Sequence, residues 1–328
     1  MITPQASLDA ELKANADALK AMSESGNGKL TLKTVGDMTI AGNISGGNVP
    51  VEQREAGVNN IARRRIFIRE LINNGTAVSN VISWVEQTGV EGAPGGTTEG
   101  SLKNQIDFDL VVVNESVIKR TAFIKISTEM LGDIDFMRSE INNELTERLS
   151  LDIDNQILNG DGTGQNLNGI ITQATAYAAG VFTGTLTASA NLVDVLTTAV
   201  NQIEIANHFP TVHVIHPSDL TTLRLIKDTD KQYISRLQDT NGTMSLDGIP
   251  IVTNTGIAQN TFLTMDGTKD TVFSKGAMAI QIGLDSDDFT KNFRTILIEW
   301  RGLNRIKGND TTAFVTGSIS AAITALNA

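Results

Sequence analysis

The stretch TEMLGDIDFMRSEINNELTERLSLDIDNQILNGDGTGQNLNGI, residues 128–170, decides how the rest of the chain is read. From Ile134, apolar side chains recur at Met137, Ile141, Leu145, Leu149, Ile153 and Ile157, first three and then four residues apart. That spacing keeps one face of an α-helix apolar and places Glu140, Asn143, Glu147, Ser150 and Asp154 on the other, solvated side. Each four-residue step overshoots a turn by about 40°, so the stripe winds slowly and meets different neighbours at its two ends. Asp133 and Asp135 fall in the first turn, where the positive end of the macrodipole favours them. Asn159-Gly160-Asp161-Gly162-Thr163-Gly164 then stops the helix abruptly.

This acidic helix, followed by Ile157 through Ile170, resembles the Hong Kong 97-like major capsid proteins of tailed bacteriophages. In that family a long spine helix ends in such a glycine-rich turn before a second domain begins. The resemblance implies an α+β chain of the Hong Kong 97-like capsid fold. Its parts would be an N-terminal arm, an extended two-stranded loop, a peripheral domain on the spine helix and an α/β axial domain.

A chain of 328 residues is long enough for one large or two ordinary domains. Its 40% hydrophobic and 19% charged residues are those of a folded chain. A net charge of −11 argues against coating nucleic acid, which draws on clustered Lys and Arg. With no cysteine, disulfides and thiolate chemistry are excluded, and covalent reinforcement needs another route. No apolar run has the length of a membrane span, and no signal peptide is visible.

At the N-terminus, Thr3-Pro4 reads as a helix start, with a seam of Leu8, Leu12, Asn15, Leu19 and Met22. The resemblance makes this region a short scaffolding-like segment. Residues 24–60 are rich in Gly and Asn and suit an extended arm ordered by neighbours. Arg63, Arg64 and Arg65 form a tight basic cluster, read as salt-bridge partners or a solvated face. Between 78 and 113, alternating runs at Val81–Glu86 and Ile106–Leu110 flank a glycine-rich tip. An isolated ribbon of this kind is only marginally stable in water, so it implies a partner surface. After the glycine turn, a helix at Leu192–Ile203, a buried strand at Val212–Ile215, a helix capped by Pro217-Ser218-Asp219, and strands near Ile249 read as an α/β unit. Phe289 through Glu299 resembles the family's strand returning to the spine. The division is 1–62 for helix and arm, 63–77 for a lead-in helix, 78–113 for the extended loop and 114–160 for the peripheral domain. It continues with 161–274 for the axial domain, 275–306 for returning peripheral strands and 307–328 for a last axial strand.

Chemistry is sparse. Asn159, Asp161 and Thr163 imitate half a calcium loop, but Ile170 stands where a bidentate Glu is needed. His208, His213 and His216 cluster without a carboxylate pattern, and a strand would turn His213 and His216 to opposite faces, so they read as half-buried histidines. No metal and no cofactor is expected.

The resemblance supplies one sharper constellation. Some relatives weld their shells by an isopeptide bond between a loop lysine and a neighbour's asparagine, assisted by a glutamate. Aligning Glu99-Gly100-Ser101-Leu102-Lys103 with the loop motif places Lys103 as nucleophile, although Asn104 follows it instead of proline. Aligning Lys291-Asn292 and Ile298-Glu299 places Asn292 as acceptor and Glu299 as proton acceptor. The implied function is that of a structural protein, not an enzyme. It is the major capsid subunit of a tailed phage, assembling as pentamers and hexamers into an icosahedral shell that encloses double-stranded DNA without gripping it. Scaffolding and portal proteins are implied partners. The locations are the virion capsid and, during assembly, the bacterial host cytoplasm; no membrane is involved. The alternatives are an encapsulin-type nanocompartment shell and, from another class, an α/β enzyme.

Overall fold

The computed structural model describes residues 60–133, 137–184, 189–227, 237–240 and 243–328. The expected N-terminal helix, the arm as far as residue 59, Ile134 and Asp135 lie outside the described residues. A short helix, Thr128–Asp133, precedes the spine helix, Met137–Asn159. Ile141, Leu145, Leu149, Ile153 and Ile157 are all buried, as their spacing requires. They share one core cluster with Ile126, Ile296, Ile298 and Trp300 of the sheet. Each buried aliphatic side chain contributes about 1.5–3 kcal/mol, so this seam fixes helix to sheet.

That sheet has five strands. Its centre is the return strand Phe293–Ile306, fourteen residues long. Ile118–Ser127 runs antiparallel along one edge of it; Ala279–Gly283 and Asp270–Ser274 lie along the other. Asn73–Thr76 adds parallel to Asp270–Ser274. The strand Asp270–Ser274 thus pairs within this sheet, although the sequence reading allotted it to the second unit. The lead-in helix is short, Ile68–Leu71.

A seven-stranded mixed sheet carries the second core. Its order is Thr175–Ala176, Phe314–Ser318, Thr261–Met265, Val212–Ile215, Ile249–Thr253, Thr243–Leu246, Leu237–Thr240. The helix Leu192–Ile205 is opened by a capping box between Asn191 and Asp194. Its Val195, Leu196, Ala199 and Ile203 pack in one cluster with Ile215, Phe262, Ala322 and Leu326. For the helix Pro217–Arg224 the cap is His216, whose Nδ1 accepts the Ser218 N–H at 3.2 Å. Asp219, read as part of that cap, instead accepts the Asn260 N–H at 2.8 Å.

Between the two sheets the described chain crosses three times: through the glycine turn, through 266–269 and through 307–313. At the first crossing Gly160 is required, because a Cβ there would lie 2.1 Å from the Leu167 carbonyl oxygen. Asp161 holds the turn, accepting the Thr163 N–H and hydroxyl at 3.0 and 2.8 Å and the Asn166 amide at 3.0 Å. These bonds keep its carboxyl below the usual range.

Candidate functional site

Val81–Glu91 and Asp107–Ser116 form a ribbon that pairs with no other strand among the described residues. Its root is fastened. Glu86 accepts the Trp84 indole N–H and the Gly308 N–H, both at 2.7 Å, and the Asn309 amide donates to the Gln87 carbonyl at 2.9 Å. The Arg305 guanidinium lies 4.9 Å from the Phe273 ring centroid and 5.8 Å from that of Trp84, a cation–π stack at the hinge. On the face that pairs Val85 with Val112 and Val90 with Phe108, the side chains of Val85, Val90, Ile106, Phe108, Leu110 and Val112 are each at least half exposed. A contiguous apolar surface of that kind marks a protein contact.

Lys103 lies at the ribbon's tip, exposed, with no hydrogen-bond or ion-pair partner among the described residues. Asn292 ends the loop that feeds the return strand, in the left-handed region at φ 57°. Asn tolerates that backbone better than most residues. The Thr128 N–H and hydroxyl donate to its carbonyl at 2.8 and 3.0 Å. The loop itself is organised on Asp288, which accepts the Thr295 hydroxyl at 2.6 Å and the Lys125 ammonium at 3.1 Å. Thr295 chiefly, with Lys125, holds the Asp288 carboxyl below the usual range.

Glu299 lies mid-strand, opposite Thr121 and Ala279, and is ion-paired with Lys119. Sequence reasoning missed Lys119. Asn292 and Glu299 are seven residues apart, roughly 20 Å along an extended chain. One subunit therefore cannot bring its own Asn292 and Glu299 to a single amine. Any reaction joining the three roles needs more than one copy.

The basic cluster is consumed internally. Arg63 pairs with Glu144 at 2.6 Å and Glu147 at 3.1 Å, and Arg65 with Glu70 at 2.6 Å. Arg64 reaches Asp154 at 2.9 Å and the Leu151 carbonyl at 3.0 Å. Asp154 is fully buried, which corrects its placement on a solvated face, and it also accepts the Phe67 and Ile68 N–H groups. Burial pushes its carboxyl up; Arg64 and the two N–H groups only partly offset this. His213 is likewise fully buried, not half-buried. Its Nδ1 lies 2.9 Å from the Thr264 hydroxyl, and burial pushes the imidazole down to about 4.

Over most of its length, residues 46–305, the sequence matches the model of the Phage capsid family. The chain belongs to the phage capsid family. It is 29% identical over 242 residues to the major capsid protein of Enterobacteria phage HK97, across 73% of this chain and 61% of that one. The chain therefore spans about three fifths of that relative's length. Among solved structures, a Microbacterium phage Oxtober96 chain superposes with a TM-score of 0.65 at 12% identity, covering 82% of this chain and 95% of that one. The capsid of an empty GTA particle gives 0.65 at 13% identity, covering 80% and 93%. A Gordonia phage Cozz chain gives 0.60 at 16%, covering 89% and 98%. At such identities the likeness establishes the fold, which is the Hong Kong 97-like capsid fold. Members of this family are structural proteins that form the virion shell by oligomeric assembly.

Proposed function

We propose that this capsid protein is the major subunit of a tailed-phage shell, tiling as pentamers and hexamers around packaged double-stranded DNA. Scaffolding and portal proteins take part in its assembly, which proceeds in the bacterial host cytoplasm. The spine helix with its five-stranded sheet acts as the peripheral plate, and the seven-stranded unit acts as the axial domain. The single observation that carries this reading is the ribbon, an exposed apolar strand pair rooted on its own subunit and covered by nothing among the described residues. Assembly with closed symmetry covers it with another copy.

We further propose that neighbouring copies are welded through Lys103, Asn292 and Glu299. A lysine with an ordinary pKa of about 10.4 is protonated at neutral pH and is not a nucleophile. Where copies meet, the Lys103 ammonium gives a proton to Glu299 of a subunit other than the one that supplies Asn292. The freed Nζ attacks the Asn292 side-chain carbonyl carbon, forming a C–N bond. Nζ gives its second proton to the leaving nitrogen as the old C–N bond of the amide breaks, so one ammonia departs per crosslink while the first proton stays on Glu299. Lys119 occupies Glu299 beforehand, so it competes with the incoming amine.

Electron microscopy of the expressed chain, alone and with a candidate scaffold, tests the shell. Empty icosahedral particles are expected; a compact monomer would overturn the reading. DNA in purified virions distinguishes a phage shell from an encapsulin-type compartment. Denaturing electrophoresis tests the weld. Mature particles should give a ladder that vanishes in Lys103→Ala, slows roughly 100-fold or more in Glu299→Gln, and forms faster in Lys119→Met. Monomer bands alone from wild-type particles reject the weld and leave the shell standing.

A further inference from the structure

The three crossings between the sheets share a buried polar feature. Asp270 opens the strand that follows the second crossing, and its side chain is fully buried. Among the described residues neither of its carboxylate oxygens meets a donor with full hydrogen-bond geometry, although the Thr271 N–H and the Asn304 amide lie near enough to favour its charged form. Asn304, just before the third crossing, is also buried, with an unpartnered amide oxygen. Its Nδ2 donates at 3.2 Å to the carbonyl of Asn168, in the glycine turn of the first crossing. In the ladder Val272 faces Asn304, and Asp270 is two residues from Val272. Asp270 and Asn304 therefore project from the same face of the sheet.

An ionised, unpaired carboxylate in that position is costly. A neutral carboxylic acid has one O–H to give, and the orphaned acceptor on the same face is Asn304 Oδ1. We propose that Asp270 carries a proton in the folded subunit and donates it to Asn304, forming a proton-dependent latch where the chain crosses between its two sheets. Burial chiefly pushes the Asp270 carboxyl up to about 7. The nearby Thr271 N–H, Asn304 amide and Arg305 moderate that rise, and Glu115 adds to it. Of the other charged groups at the crossings, Lys307 is half-buried without a hydrogen-bond or ion-pair partner among the described residues, and the others are engaged elsewhere. Asp266 accepts from Thr268, Lys269 pairs with Asp310 at 3.7 Å, and Arg305 donates to the Thr271 hydroxyl from the opposite face.

In an unfolded or locally opened chain the acid returns to the ordinary range of about 3.9. Between about pH 4 and 7 the closed joint alone holds the proton. The latch therefore weakens as pH rises through that window and levels off above about 7.

Hydrogen exchange on the assembled full-length protein, corrected for intrinsic rates, tests this at amides 167–170, 267–272 and 304–307. Wild-type protection there should fall by up to roughly tenfold per pH unit across the window. Asp270→Asn keeps an N–H donor and cannot ionise, so its protection should not follow that slope. An equal slope in Asp270→Asn, or none in the wild type, overturns the latch. Should the variant fail to fold, infrared spectroscopy of wild-type shells with carbon-13-labelled aspartate decides. A protonated-acid carbonyl band persisting at about pH 6, well above the ordinary Asp range, supports the latch, and its absence overturns it.

Discussion

Removing the Arg64 guanidinium leaves Asp154 a buried carboxylate held only by the N–H groups of Phe67 and Ile68. Breaking one side of such a pair costs about 3–5 kcal/mol, and the partly exposed Arg64 points to the lower end. Urea unfolding of the purified Arg64→Ala subunit should show a loss of about 3 kcal/mol. The Arg64→Met/Asp154→Leu double variant should recover most of it, because neither charge then remains buried. A helical period sorts positions by residue type, so it assigned Asp154 to water. Its partner, 90 residues earlier in the chain, exists only after folding. The same limit hid Lys119. Glu299 pairs with Thr121 and Arg301 with Lys119 in the ladder, so the contact runs diagonally between strands far apart in sequence. Asn292 and Glu299 were assigned through the family resemblance alone, because no local period or spacing singles them out on this strand.

At the scale of elements, the spine helix was readable because its period and its stop are local. The glycine turn offers a graded test. A Cβ at Gly160 would lie 2.1 Å from the Leu167 carbonyl oxygen and 2.5 Å from that of Gln156. Gly164, at φ +57°, faces open space. Gly160→Ala should destabilise the subunit by about 2 kcal/mol or more through forced backbone movement. Gly164→Ala should cost only about 1 kcal/mol, for its left-handed backbone. Thermal unfolding of the two variants reads the order, and equal losses would mean that the turn relaxes around Gly160. Sheet membership was less legible. Thr261–Met265 and Asp270–Ser274 are separated by four residues yet join different sheets. A strand pattern declares extension, and the partner is chosen by packing. Asn73–Thr76, written Asn-Asn-Gly-Thr, has turn composition and becomes a strand because Asp270–Ser274 pairs with it.

For the whole molecule, folding and assembly draw on different surfaces. The two cores contain the spine seam and the helices of the seven-stranded unit, and both are complete within one subunit. The distal ribbon lies outside them, and its exposed Val90, Ile106 and Phe108 are left uncovered by the described residues of the subunit. Replacing residues 90–108 with a two-residue Asn-Gly hairpin turn closes the ribbon at the Gly89–Asp109 pair and removes Val90, Ile106 and Phe108. Trp84, Glu86 and Gln87 retain their contacts with 305–309. The subunit should then keep its unfolding midpoint within about 3 °C, since the cut removes almost no buried area. Sedimentation should show monomers or isolated capsomers where the full chain gives shells. If the shortened chain still builds shells of normal yield and stability, the ribbon is not what joins the tiles. If it fails to fold, the ribbon belongs to the subunit's own core, contrary to its exposure.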